Sequence, residues 1–228
     1  MVVLISSMEE PAFEYSLIRS QRKTIAIHIS KSGDVEVRAP LFAPKFLITR
    51  FVLSKREWIL DAKRRAVPEK KYSFVEGERF PYLGQHLALH LCPARFPARA
   101  GTILLFPKHL VRNGTAHMED WYRKEAKTVL SKKTALFAKK IGASYSAVSI
   151  RDTTSRWGSC SSSGRISYCW RLLLADEGIV DYVVIHEVCH RIHPDHSHAF
   201  WDTVGKYDAM YRAHRTWLKR FGHTLTLS

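Results

Sequence analysis

The sequence has no uncharged apolar run approaching the roughly 18 to 20 residues that a membrane-spanning helix needs, so a bilayer-embedded chain is not expected. It has no C-x-x-C pair. Its four cysteines, Cys92, Cys160, Cys169 and Cys189, are too few and too scattered for a secreted disulfide scaffold. Acidic residues are short, with 21 Asp and Glu against 36 Lys and Arg, and the formal charge is +15. Glycine and proline, 11 and 9 in 228 residues, are too sparse for collagen-like or low-complexity chain, and no repeat of fixed period is visible. The opening Met1-Val2-Val3-Leu4-Ile5 lacks a basic segment and a small-residue cleavage site, so it is not expected to act as a signal peptide. These deficits point to a soluble, cytoplasmic protein with reduced thiols, and they make Asn113-Gly114-Thr115 a chance glycosylation sequon.

What is present is a globular composition, 46% hydrophobic and 11% aromatic, at a length that suits one or two domains. The basic residues are dispersed, in Arg19 to Lys23, Lys63-Arg64-Arg65, Lys70-Lys71, Lys132-Lys133, Lys139-Lys140 and Arg212 to Arg220. Such dispersal reads first as a solvated surface, although a charge of this size also concentrates phosphates, nucleic acid and acidic surfaces around the molecule.

Thr24 to Arg38 alternates with period two around Gly33-Asp34, which predicts a β-hairpin. Ala43 to Ala66 carries apolar residues at helical spacing, and Tyr72–Val75, Gln85–Leu91 and Thr102–Phe106 read as strands. Near Gly114 short strands give way to long helical periodicity, with one amphipathic helix over Met118 to Ile141. A domain boundary is therefore expected there, with a β-rich N-terminal domain over 1–113 and a second domain over 114–228. In the second, Ala147–Arg151 and Arg165–Leu174 read as strands. Helices follow from about Ile179 through His190 and from Phe200 to Tyr211, and Trp217 to Phe221 closes the chain.

The densest chemistry lies in Val183-Val184-Ile185-His186-Glu187-Val188-Cys189-His190. Two imidazoles four residues apart on a helix are turned only about 40° from one another, one turn apart, which suits two ligands of one ion. The glutamate between them lies beside that face, where it can take a proton from metal-bound water. A short H-E-x-x-H also describes two surface histidines on an amphipathic helix. A catalytic tetrahedral site needs a third ligand, and the next eight residues hold His193, His196 and His198. His193 would sit about 10 Å along the axis from His186, too far to share an ion in a regular helix. Pro194 ends the helix, which gives His196 and His198 the freedom to fold back.

Arg156-Trp157-Gly158-Ser159-Cys160, Trp170-Arg171-Leu172, the H-E-x-x-H helix, His196-Ser197 and Phe200-Trp201 occur in the order and spacing of the YgjP-like metallopeptidase family. Arg22-Lys23-Thr24-Ile25, Val37-Arg38-Ala39-Pro40, Lys55 to Ile59 and Tyr82-Leu83-Gly84 also look like that family, so the resemblance covers nearly the whole chain. It implies an α+β fold in which a small β-rich N-terminal domain precedes a zincin-like catalytic domain related to the SprT and WLM groups. It further implies zinc held by His186, His190 and His196, with Glu187 as base. Asp195 stands where the family usually has asparagine, and Cys189 where it often has alanine; neither is an implied ligand.

Arg156 to Cys160 alone reads as a tight turn with a packed indole. The resemblance raises Arg156 and Trp157 to candidates for a substrate-binding wall. Cys160 is not expected to be a nucleophile, because water activated by zinc leaves it no task. Arg156, His198 and Tyr207 are the candidates for stabilising an oxyanion. The expected activity is zinc-dependent hydrolysis of peptide or protein substrates. One alternative is a nucleotide pyrophosphatase using the same metal. Another is a DNA-associated metalloprotein that binds nucleic acid through its basic surface.

Overall fold

The computed structural model describes residues 13–30, 33–65, 72–153 and 155–227. The chain divides into two compact units, Met1–Lys70 and Lys71–Ser228.

In the first unit β3 (Val35–Pro40) is the middle strand, flanked by β1 (Ser16–Ser20) in parallel and β2 (Ala26–Ile29) in antiparallel. The β2–β3 pair is the hairpin that the alternation predicts. Its period-two pattern turns Val35, Val37 and Ala39 inward. They meet Phe13 together with Ile48 and Val52 of α1 (Lys45–Ser54) and Ile59 of α2 (Arg56–Arg65), which completes a small core. The expected single helix is broken at Lys55. Residue 66, its expected end, lies outside the described residues.

In the second unit β4 (Arg79–Tyr82), β5 (Gln85–Cys92), β6 (Ala98–Ala100) and β7 (Ile103–Pro107) form a sheet of order β4-β5-β7-β6. Residues 72–75, expected as a strand, belong to no regular element. The long helix α3 (Gly114–Ile141) follows, and 28 residues make it about 42 Å long. Met118, Tyr122, Ala126, Leu130, Thr134 and Ala138 recur every four residues on its buried side. Gly142 ends it at φ 77°, a left-handed conformation that glycine adopts without steric cost.

This unit contains the division expected at residue 113. Phe80, Leu87, Leu89, Leu104 and Phe106 of the sheet share one core with Met118 and Tyr122 of α3. The Tyr122 hydroxyl donates to the Pro81 carbonyl, and Tyr82 donates to Glu125 at 2.9 Å. Texture changes at Gly114 because one secondary structure ends there, while the contacts that make a compact body continue across it.

A second sheet has order β8-β10-β9, with β8 (Ala147–Arg151) parallel and β9 (Gly158–Cys160) antiparallel to the central β10 (Arg165–Cys169). After β10 the chain enters a 3-10 turn, Trp170–Leu174, in place of the longer strand expected. Helix α4 (Glu177–Cys189) buries Ile179, Val180, Val183, Val184, Ile185 and Val188, while Glu177 and Asp181 pair with Lys133. Helices α5 (His198–Tyr207) and α6 (Tyr211–Phe221) close the unit. Among the described residues no helix is long and apolar enough to cross a membrane.

Candidate metal centre

The apolar surroundings of α4 bury its last turn, so polar groups there are withdrawn from water unless partnered. His186 and Glu187 occupy that turn, and His190 is its C-cap. The chain then tightens, with the amides of Ile192 and His193 both donating to the Cys189 carbonyl at 3.0 and 2.9 Å. Pro194 follows. The Ser197 amide donates to the Asp195 carboxylate at 3.3 Å, a local turn that reverses the chain before α5 starts.

That reversal brings His196 back over the end of α4. One ring nitrogen from each of His186, His190 and His196 lies within 4.8 Å of the others, and the two Nε2 atoms of His186 and His196 are 3.1 Å apart. Phe200, fully buried, backs all three rings at centroid distances of 4.9, 4.6 and 4.9 Å. Trp201 stacks on His196 at 5.6 Å and 23°, Tyr211 stacks on Trp201, and the Arg215 guanidinium lies 4.7 Å from the Trp201 ring.

The electrostatics follow from this burial. Desolvation, then the neighbouring His190 and His196, bring the His186 pKa down to about 3, and burial also lowers that of His190. Both imidazoles are therefore neutral donors at physiological pH. His190 Nδ1 lies 3.1 Å from the His193 carbonyl, so this nitrogen carries the proton and Nε2 keeps its lone pair. His186 Nδ1 is buried without a hydrogen-bond partner among the described residues. Glu187 is only 6% exposed, and burial pushes its carboxyl up to about 8 against the opposing charge of Arg156.

β9 forms the wall in front of this carboxylate. A Cβ on Gly158 would stand 2.5 Å from Glu187 Oε1 and 2.6 Å from its Cγ, so only glycine lets the strand approach this closely. Arg191, one residue past the C-cap, secures the turn beyond the strand. Its guanidinium donates to the carbonyls of Ser144, Ser161 and Ser162 at 2.9, 3.3 and 3.2 Å.

Residues 23–221 match the family described as YgjP-like, metallopeptidase domain. The chain belongs to the YgjP-like metallopeptidase family. Membership makes it a metal-dependent peptidase in the general sense. A solved structure, the metallopeptidase zymogen of Pyrococcus abyssi abylysin, is 22% identical and aligns with a TM-score of 0.35 over 40% of this chain and 93% of that one. Among proteins of curated function, none matches the chain.

Other residues singled out in the sequence lie apart from the histidine cluster. His193 faces Thr203, Nε2 to Oγ1 at 3.0 Å. His198 is 94% exposed and pairs with Asp202, and Tyr207 donates to the Lys140 carbonyl. The Trp157 indole packs against Gly222 beside the main core, whereas Arg156 acts electrostatically on Glu187. The Cys160 thiol is held above its usual pKa by burial, despite the nearby Arg191. Sequence reasoning missed Phe200 and Trp201 as supports of the rings, Gly158 as the neighbour of Glu187, and Arg215 altogether. Phe200-Trp201, shortly after His196-Ser197, was the available signal for the first two, and Gly158 sits in the Arg156 to Cys160 block; nothing local marks Arg215.

Proposed function

We propose that this chain is a zinc-dependent peptidase in which His186, His190 and His196 hold the ion and Glu187 is the general base. The observation that carries the reading is the convergence of three histidine nitrogens within 4.8 Å beside a buried glutamate. Two imidazole nitrogens bound tetrahedrally at about 2.0–2.1 Å from zinc stand about 3.3 Å apart, and His186 and His196 already stand at 3.1 Å. Neutral imidazoles are the donors that zinc takes, and a set of three leaves one position open for water or substrate.

When bound, zinc supplies Lewis acidity, acidifying a coordinated water, polarising the substrate carbonyl and drawing the nearby Glu187 carboxyl toward its ionised form. Glu187 accepts a proton from the attacking water and returns it to the leaving nitrogen. The His193 carbonyl orients His190, Phe200 backs the rings, and the missing side chain of Gly158 leaves the space that Glu187 occupies. Arg156 favours the ionised carboxylate.

The test compares wild type with Glu187→Gln for zinc content and for turnover on peptide and nucleotide panels. Peptide cleavage that is lost in the variant while zinc is retained supports the reading. Unchanged turnover in Glu187→Gln, or cleavage of nucleotides alone, overturns it.

A further inference from the structure

β10 sends Ile166 and Tyr168 into the core side of its sheet, which leaves Ser167 and Cys169 on the other face. The register extends that face across the sheet. Ser149 and Arg151 lie beside Ser167 and Cys169, and Ser159 lies opposite Ser167. A pocket of about 210 Å³ opens here, with Arg151, Thr153, Arg156, Ser159, Ser167 and Cys169 in its wall.

The wall offers positive charge and donors, and among the described residues no carboxylate lines it. Asp152, next to Arg151 in sequence, is engaged elsewhere, by Arg123 at 2.7 Å and by Arg171. Neither Arg151 nor Arg156 makes a close ion pair among the described residues, although the charge of Arg156 is felt by Glu187. The Ser159 and Ser167 hydroxyls are 2.7 Å apart. Their mutual bond uses one of two hydroxyl protons, so the pair keeps one donor for a ligand. The Thr153 hydroxyl donates to the Arg156 carbonyl at 2.8 Å and holds the turn that carries Arg156. Gly158 is the partition between this pocket and the candidate catalytic centre, since it lines the pocket and abuts Glu187.

We propose that this pocket receives an acidic side chain of the peptide substrate, so that the enzyme prefers bonds with Asp or Glu close by. The proposal rests on the peptidase reading and names the substrate class for the same centre. Arg151 and Arg156 supply the charge, and the serine pair supplies a directed hydrogen bond. The net charge of +15 also draws acidic chains toward the molecule.

Zinc-loaded protein is given a library of fluorogenic peptides in matched sets that differ only by Glu, Gln or Lys at one position. Wild type is expected to favour the Glu member by at least about fivefold in kcat/KM at one position, the scale of a hydrogen bond to a charged group at a partly exposed site. In Arg151→Gln the ratio within the pair falls toward one, and in Arg151→Glu it inverts in favour of a Lys member. The ratio is internal to each variant, so partial loss of folded protein does not affect it. Should Arg151→Glu fail to fold, Arg151→Gln and Arg156→Gln decide. Equal cleavage of Glu and Gln members at every position by wild type overturns this proposal and leaves the peptidase reading intact. A preference that survives both glutamine variants also overturns it. Cleavage of no peptide overturns the peptidase reading itself.

Discussion

Gly158 lies directly against Glu187, and the space a Cβ would occupy is 2.5 Å from the carboxylate Oε1. The strand and the helix thus meet through a glycine backbone and a carboxylate side chain. Gly158→Ala is expected to displace Glu187 while leaving the three histidines in place. Misplacing a catalytic group by about 1 Å costs roughly a hundredfold in rate. The variant should bind zinc stoichiometrically and lose between about ten- and a hundredfold in kcat on a peptide substrate. Metal analysis beside single-turnover kinetics checks this, and an unchanged kcat would show that Glu187 is not held by the strand.

His193 and His196 separate the side chain's role from the backbone's. His193 faces Thr203 with its ring and receives His190 Nδ1 on its carbonyl, which an alanine keeps. His196→Ala should therefore lose a metal ligand and drop to substoichiometric zinc, while His193→Ala retains it. Metal content after dialysis against a weak chelator gives the answer. The opposite ranking would move the third ligand to residue 193.

Arg191 joins the end of α4 to two loops through three carbonyls. Arg191→Met removes those bonds and should cost about 1–3 kcal/mol, measured as a lowered midpoint in chemical denaturation. Arg191→Lys should recover little of it, because a single ammonium lacks the planar fork that spans both loops. Full recovery by lysine would reduce Arg191 to a point charge.

Asp152 ties Arg123 to Arg171, and both guanidinium groups lie over the ring of the buried Trp170. Burial acts to raise the Asp152 carboxyl, but the hydrogen bond from Arg123 and the charge of Arg171 outweigh it and hold the pKa below 3.8. A carboxyl with a depressed folded pKa stabilises the fold above its unfolded value and loses that contribution as pH falls through the folded one. With metal removed from both proteins, wild type should therefore be more stable than Asp152→Asn at pH 7. The gap should close as the pH falls below 3.8. A gap independent of pH would exclude the ion pair as its source.

Much of the local structure was legible in the chain. The alternation around Gly33-Asp34 yields the β2–β3 hairpin, and the four-residue stripe from Met118 onward yields α3, because strand and helix periods are properties of the backbone. The i,i+4 spacing of His186 and His190 likewise follows from helical geometry. The edges of these elements were harder to see. β4, β6 and β9 span only three or four residues each, too few for a periodic pattern, and each is held by its pairing with the next strand, β5, β7 or β10.

The sequence by itself determined that a helix would present two imidazoles and a carboxylate together, and that Pro194 would free the chain beyond. Only the tertiary structure decided what surrounds them. Phe200 behind the rings, Gly158 against Glu187, and Arg151 and Arg156 around one pocket are meetings between separate elements. The same holds for the unit boundary at residues 70 and 71, where shared burial joins the β4–β7 sheet to α3. A period along the chain records which face a residue takes. It holds no record of which other face will come to cover it, because that choice is made by the packing of the whole core.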